Sequence, residues 1–220
     1  MSRRDNAEHR CPRCRMLGDL CVCALLPSPP LVTRTRLLLF IHRYEARKPT
    51  NTGLLAAECL AHGTVIIRGR EDRPDPPFVA APDARPVLLF PADDAVALAP
   101  TDEPITLIVP DGTWRQASRV RNRVPGLRDV PCVTLPPGPP SQYQLRSEPR
   151  EGGLATIEAI ARAFAILGEP EASAAMERVF RAVVERTLWS RGALSAAEVT
   201  TGLPPGVARH DPRRRPLPGE

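Results

Sequence analysis

Four cysteines, Cys11, Cys14, Cys21 and Cys23, fall within thirteen residues in the pattern Cys-x2-Cys-x6-Cys-x-Cys. A Cys-x2-Cys turn presents two thiolates to one metal ion, and a Cys-x-Cys pair closes the other side from an extended segment. Zinc favours four such soft ligands in a tetrahedron. With sulfur at every corner no coordination position stays open, so a zinc ion held here is expected to be structural. An iron–sulfur cluster or unligated thiols are the alternatives. Cys59 and Cys132 stand alone in apolar surroundings and are expected in the core.

The second grouping is the corner Ile105–Trp114, ITLIVPDGTW. An apolar strand ends, Pro110-Asp111-Gly112 turns the chain, and a helix is expected to open at Thr113. Ligands of open α/β sheets bind beyond the carboxyl ends of the strands, where helix amides point outward. Asp111 therefore sits where a catalytic carboxylate is expected, although Asp before Gly-Thr is equally an ordinary helix cap. Trp114 suits either base stacking or packing.

Two more polar clusters fall at comparable places. His42-x2-Glu45-x2-Lys48-x-Thr50-Asn51-Thr52-Gly53 follows one apolar run and precedes a helical pattern. Tyr143-x-Leu145-Arg146-x-Glu148-Pro149 leads into Leu154-x-Thr156-x-Glu158. Each alone is a surface loop and a helix cap. Three such clusters in one domain are how a single cleft is assembled from loops.

Positioning them requires an alternating α/β framework. Strands are expected at Arg36–His42, Thr64–Arg68, Val87–Phe90, Ile105–Val109 and Val130–Leu135. Several are continuously apolar, as in parallel strands covered on both faces. Helices are expected at Thr52–His62, Thr113–Val124, Leu154–Leu167 and Glu171–Arg191. Arg115, Arg119, Arg121 and Arg123 load the second of these. Arg70–Pro86 and the proline-rich stretch Pro136–Gly153 read as loops, and a loop as long as the latter is usually functional. The organisation expected is a head over residues 1–30, a catalytic domain over 31–200, and a disordered Pro/Arg-rich tail over 201–220.

Composition narrows the class. Among 220 residues, 42% are hydrophobic, enough for a core, and the 27 prolines cluster in loops. No apolar run approaches the ~20 residues of a membrane span. The charged N-terminus leads straight into the cysteines with no secretory pattern, so a reducing, cytoplasmic setting is expected. A net charge of +5, carried by arginine with Lys48 as the sole lysine, points weakly to an anionic partner.

Taken in order, the cysteine head, His42–Gly53, Leu88-Leu89-Phe90-Pro91, Asp111-Gly112-Thr113-Trp114, Tyr143–Arg146 and Leu154–Ala159 resemble the DTW-domain family of tRNA-uridine aminocarboxypropyltransferases. The resemblance spans roughly residues 11 to 167 and implies a SPOUT-like fold: a mostly parallel sheet flanked by helices, with a knotted C-terminal part. It implies transfer of the 3-amino-3-carboxypropyl (acp) group of S-adenosylmethionine to N3 of a tRNA uridine, giving acp3U and 5′-methylthioadenosine. Asp111 is then the expected base. Phe90, Pro91, Asp111, Gly112, Thr113, Trp114, Leu135, Tyr143, Leu145, Arg146 and Thr156 are the expected S-adenosylmethionine contacts, with Arg146 on the methionyl carboxylate. His42, Lys48, Asn51, Arg115 and Arg119 are the expected RNA contacts. The partner is tRNA, with neither DNA nor membrane expected and the oligomeric state open. A SPOUT-type RNA methyltransferase using the same donor, or a non-enzymatic zinc-knuckle RNA-binding protein, are the rival readings.

Overall fold

The computed structural model describes residues 9–69, 74–143, 145 and 153–207. Six strands form one sheet: Arg36–His42 (β1), Gly63–Arg68 (β2), Arg85–Leu89 (β3), Val96–Ala97 (β4), Ile105–Asp111 (β5) and Cys132–Thr134 (β6). They are ordered β2-β1-β5-β3-β6-β4, and every pairing is parallel. The helices are Gly53–Glu58 (α1), Trp114–Ala117 (α2), Val120–Arg123 (α3), Thr156–Ile166 (α4) and Pro170–Ser190 (α5). The expected α/β class and mostly parallel sheet are therefore present.

Strand alternation divides the core in two. Leu37, Leu39 and Ile41 of β1, with Ile105, Leu107 and Val109 of β5, face α4 and α5 in the larger cluster. Phe40 and Ile108 face the other way, with Leu88, Val120, Val124 and Leu127. All seven residues of β5 are buried, as befits a strand flanked on both edges and covered on both faces. Helix α4 buries Ile157, Ile160, Ala161 and Phe164 at the three- and four-residue spacing of one helical face. Gly168, at φ +81, supplies the left-handed turn between α4 and α5, and Pro170 occupies the first turn of α5.

Several expected elements come out shorter or shifted. The helix expected over Thr52–His62 stops at Glu58, because the chain pairs with Leu31: Leu31 N–H donates to Cys59 O and Ala61 N–H to Leu31 O. Thr113–Val124 breaks into α2 and α3 at Ser118, whose hydroxyl bonds back to Arg115 O. The Val130–Leu135 strand keeps only its middle between Pro131 and Pro136, and the strand expected over Val87–Phe90 runs over Arg85–Leu89 instead. The two-residue β4, exposed at both positions, was not expected at all.

The head is continuous with the main core, since Met16, Leu20, Val22 and Leu26 are buried in the larger cluster. Arg186 of α5, only 6% exposed, donates to Leu20 O at 3.4 Å and Cys21 O at 2.6 Å, and its Nε to Gly202 O at 3.0 Å. Glu185 accepts from Thr200 and Thr201, and Leu203 and Val207 pack on the core. Residues 201–207 are thus held rather than part of a disordered tail; 208–220 lie outside the described residues. No helix among the described residues is long and apolar enough to cross a membrane. Replacing Arg186 by Met would leave the buried Leu20, half-buried Cys21 and exposed Gly202 carbonyls without this donor. We expect a loss of about 2 kcal/mol or more in urea unfolding; an unchanged midpoint would show that the clasp contributes little.

Candidate active site

A cleft of about 970 Å³ opens at the carboxyl ends of β3, β5 and β6 and is walled by the β1–α1 loop and by residues 135–143. That volume lies at the upper end of the range for small-molecule sites. Parity along β5 explains its floor. Asp111 follows Ile105, Leu107 and Val109 on the face that α1 and α4 cover, so groups from both helical segments reach its carboxylate. Asn51 Nδ2 donates to Oδ2 at 2.6 Å, and Thr156 Oγ1 donates to Oδ1 at 2.8 Å. Asp111 is 8% exposed and still lines the cleft. Two neutral donors, one on each oxygen, help to fix its orientation. Gly53 makes this approach possible, because a Cβ there would stand 2.7 Å from Asp111 Oδ2 and 3.2 Å from the Thr156 methyl.

Asp111 is not the helix cap. Thr113 caps α2, its Oγ1 accepting from Gln116 N–H at 3.3 Å, while Gln116 Oε1 accepts from Thr113 N–H at 2.8 Å. The Asp111 side chain is thereby left to the cleft. Trp114 is half-buried, its ring 5.9 Å from that of Phe90 on the opposite wall.

The proline-rich wall is pinned from α4. Glu158, buried, accepts from Ser141 Oγ at 2.5 Å, Gln142 N–H at 2.8 Å and Ala155 N–H at 2.8 Å. Arg162 Nη2 donates to Pro139 O at 2.7 Å. Tyr143 packs its ring 5.8 Å from Phe180 and donates its hydroxyl to Thr50 O at 2.7 Å, joining this wall to the β1–α1 loop. Within that loop Glu45, 3% exposed, forms an ion pair with the exposed Lys48.

Of the expected contacts, Phe90, Pro91, Asp111, Gly112, Thr113, Trp114, Leu135, Tyr143 and Thr156 all line the cleft, as do Lys48, Asn51 and Arg115. Leu145 packs instead against the larger core. His42 and Arg119 lie off the lining, and Arg146 lies outside the described residues. Sequence reasoning missed Gly53 as a spacer and Glu45, Glu158 and Arg162 as wall supports. Glu158 carried a signal as a helical first-turn acid, but nothing local tells which loop it holds.

The four head thiols form a separate site. Cys11 and Cys23 Sγ are 3.5 Å apart, Cys14 and Cys21 Sγ 3.6 Å, and all four lie within 4.8 Å of one another. A tetrahedral zinc with bonds of ~2.3 Å needs sulfur separations of about 3.8 Å, so the cluster fits one ion. Burial raises the Cys11 thiol, but the Cys14 and Arg13 amides outweigh it and bring it down to about 6. Burial holds Cys14 and Cys23 above the ordinary value. A cation bound here would favour the thiolate forms. Cys59 and Cys132 are buried core residues, as expected.

Known proteins resemble the chain across most of its length. Over 170 residues it is 29% identical to tRNA-uridine aminocarboxypropyltransferase 2 of Drosophila melanogaster, covering 74% of this chain and 68% of that protein. The protein of the same name from Mus musculus is 32% identical over 174 residues, but the match spans only 58% of its length. Tsr3 of Vulcanisaeta distributa, a SAM-dependent rRNA:acp-transferase of known structure, aligns with a TM-score of 0.46 at 18% identity, covering 72% of this chain and 83% of that one. The sequence model of the DTW domain matches residues 8–188, and the chain belongs to the DTW domain family.

Proposed function

We propose that this protein transfers the acp group of S-adenosylmethionine to N3 of a tRNA uridine, releasing 5′-methylthioadenosine. The observation that carries the reading is the Asp111 carboxylate, clamped by Asn51 and Thr156 on the floor of a cleft large enough for an adenosyl group. Membership of the DTW family and relatives named for this reaction support it.

S-adenosylmethionine supplies a sulfonium leaving group, so the protein's task is chiefly to align two reactants. Asp111 accepts the N3–H of the uracil. As the N3–carbon bond forms and the carbon–sulfur bond breaks, the N3 proton passes to the carboxylate and the bond's electron pair stays on sulfur. Asn51 and Thr156 keep the carboxylate aimed while the proton moves. Phe90, Trp114 and the wall at Leu135–Tyr143 cover apolar parts of the donor and limit water. Lys48 and Arg115 sit at the cleft for anionic groups of donor or RNA, and His42 and Arg119 lie outside it for the RNA backbone. The reading places the enzyme in the cytoplasm with tRNA. Zinc on Cys11, Cys14, Cys21 and Cys23 holds the head against α5 and takes no part in transfer.

The deciding assay incubates the protein with unmodified tRNA and S-adenosylmethionine, then analyses the nucleosides by mass. The acp increment supports the proposal, and a methyl increment with S-adenosylhomocysteine would replace it with a methyltransferase. Asp111→Asn keeps the size but removes the charge and turns one of the two accepting oxygens into a donor. It should lower kcat by about 10²-fold or more with donor affinity nearly unchanged, and full turnover would end the assigned role. Metal analysis of the purified protein should find one zinc per chain. Cys14→Ser should lose that zinc and unfold at lower denaturant, whereas Asp111→Asn should keep it. A chain that carries no metal and is indifferent to Cys14→Ser would refute the zinc site.

A further inference from the structure

Three consecutive residues at the end of β1 form a stack that the proposed chemistry does not use. Ile41 pairs with Asp111, so the next residue, His42, emerges beside Gly112 on the opposite face, the one covered by α3. A Cβ on Gly112 would stand 3.5 Å from His42 Cβ. The His42 and Tyr44 rings are 5.3 Å apart and tilted by 37°. The Arg43 guanidinium carbon lies 4.6 Å from the Tyr44 ring centroid, and Arg43 Nη2 donates to the Tyr44 hydroxyl at 2.8 Å. Tyr44 is nevertheless 54% exposed, one of five large apolar side chains left open among the described residues. Burial, with Arg68 and Arg43 nearby, lowers His42 below its ordinary value and leaves it a neutral, flat heteroaromatic at pH 7.

We propose that Tyr44, braced by Arg43 and His42, is the stacking platform for a base next to the uridine that enters the cleft. The proposal rests on the reading that the substrate is RNA. A uridine reaching Asp111 must leave its own stack, so a neighbouring base loses a π-partner. An exposed aromatic ring flanked by a cation replaces that partner without regard to sequence. Charge agrees with this occupant: exposed Arg115 and Arg119, from the turn that follows Asp111, suit the phosphates of a strand crossing this side. Among the described residues Tyr44 belongs to neither core cluster, so core packing does not account for its ring.

The test compares wild type, Tyr44→Ala and Tyr44→Phe. It measures binding of fluorescein-labelled unmodified tRNA by anisotropy, S-adenosylmethionine affinity by calorimetry, and steady-state transfer. Tyr44→Ala should weaken tRNA binding about ten-fold and raise the KM for tRNA alike, with kcat and donor affinity within about two-fold. Tyr44→Phe, which keeps the ring, should bind tRNA like the wild type. Unchanged tRNA affinity in Tyr44→Ala overturns the platform, and so does an equal loss in Tyr44→Phe. Binding is read without turnover. A wild type that binds tRNA but forms no acp3U therefore refutes the transfer reading alone; one that binds no tRNA refutes both.

Discussion

The Asp111 carboxylate is held by donors that lie 60 and 45 residues away in the chain. A buried acid needs such partners, because desolvation without hydrogen bonds is expensive. Meeting that need fixes much else. Strand β5 must end with Asp111 on the face that α4 covers, and α4 must begin at Thr156 close enough to donate. The β1–α1 loop must deliver Asn51 just before a residue with no side chain. These demands converge on adjacent strands, β1 and β5, whose outgoing connections pack on opposite faces of the sheet. Divergence of that kind opens a crevice at the strand ends.

The framework was legible because parallel strands buried on both faces write themselves as short apolar runs. RLLLFIH and ITLIV are unmistakable, and both long helices show their apolar faces. What was illegible depends on distant partners. Nothing within 52–62 announces that Leu31 will draw Cys59–Ala61 out of the helix. The exposed pair Val96–Ala97 carries no burial signal, and it becomes a strand only because β6 offers an edge. The start of the expected tail is another case: Thr201 and Gly202 look like a polar terminus until Glu185 and Arg186 are seen to hold them.

The site divides in the same way. Asp111 was recognisable from its corner, and the structure settles the local ambiguity by giving the capping role to Thr113. The cysteines were recognisable as a group because all four fall close together in sequence. Glu158 and Arg162 were not, since a residue that supports a loop is identified only by what it touches. Arg186 likewise ties the head to α5, and the cysteine segment shares the larger core of the sheet.

The wall at Pro136, Pro137, Pro139 and Pro140 has a thermodynamic consequence. Each ring fixes its own φ, so these residues have little backbone freedom left to surrender when a ligand settles against them. The same four residues carry no N–H, so they offer an incoming molecule no amide donors, and the Pro139 carbonyl already accepts from Arg162. Against these four rings a partner can only donate, and its own acceptors must find Gly138 or the polar groups across the cleft.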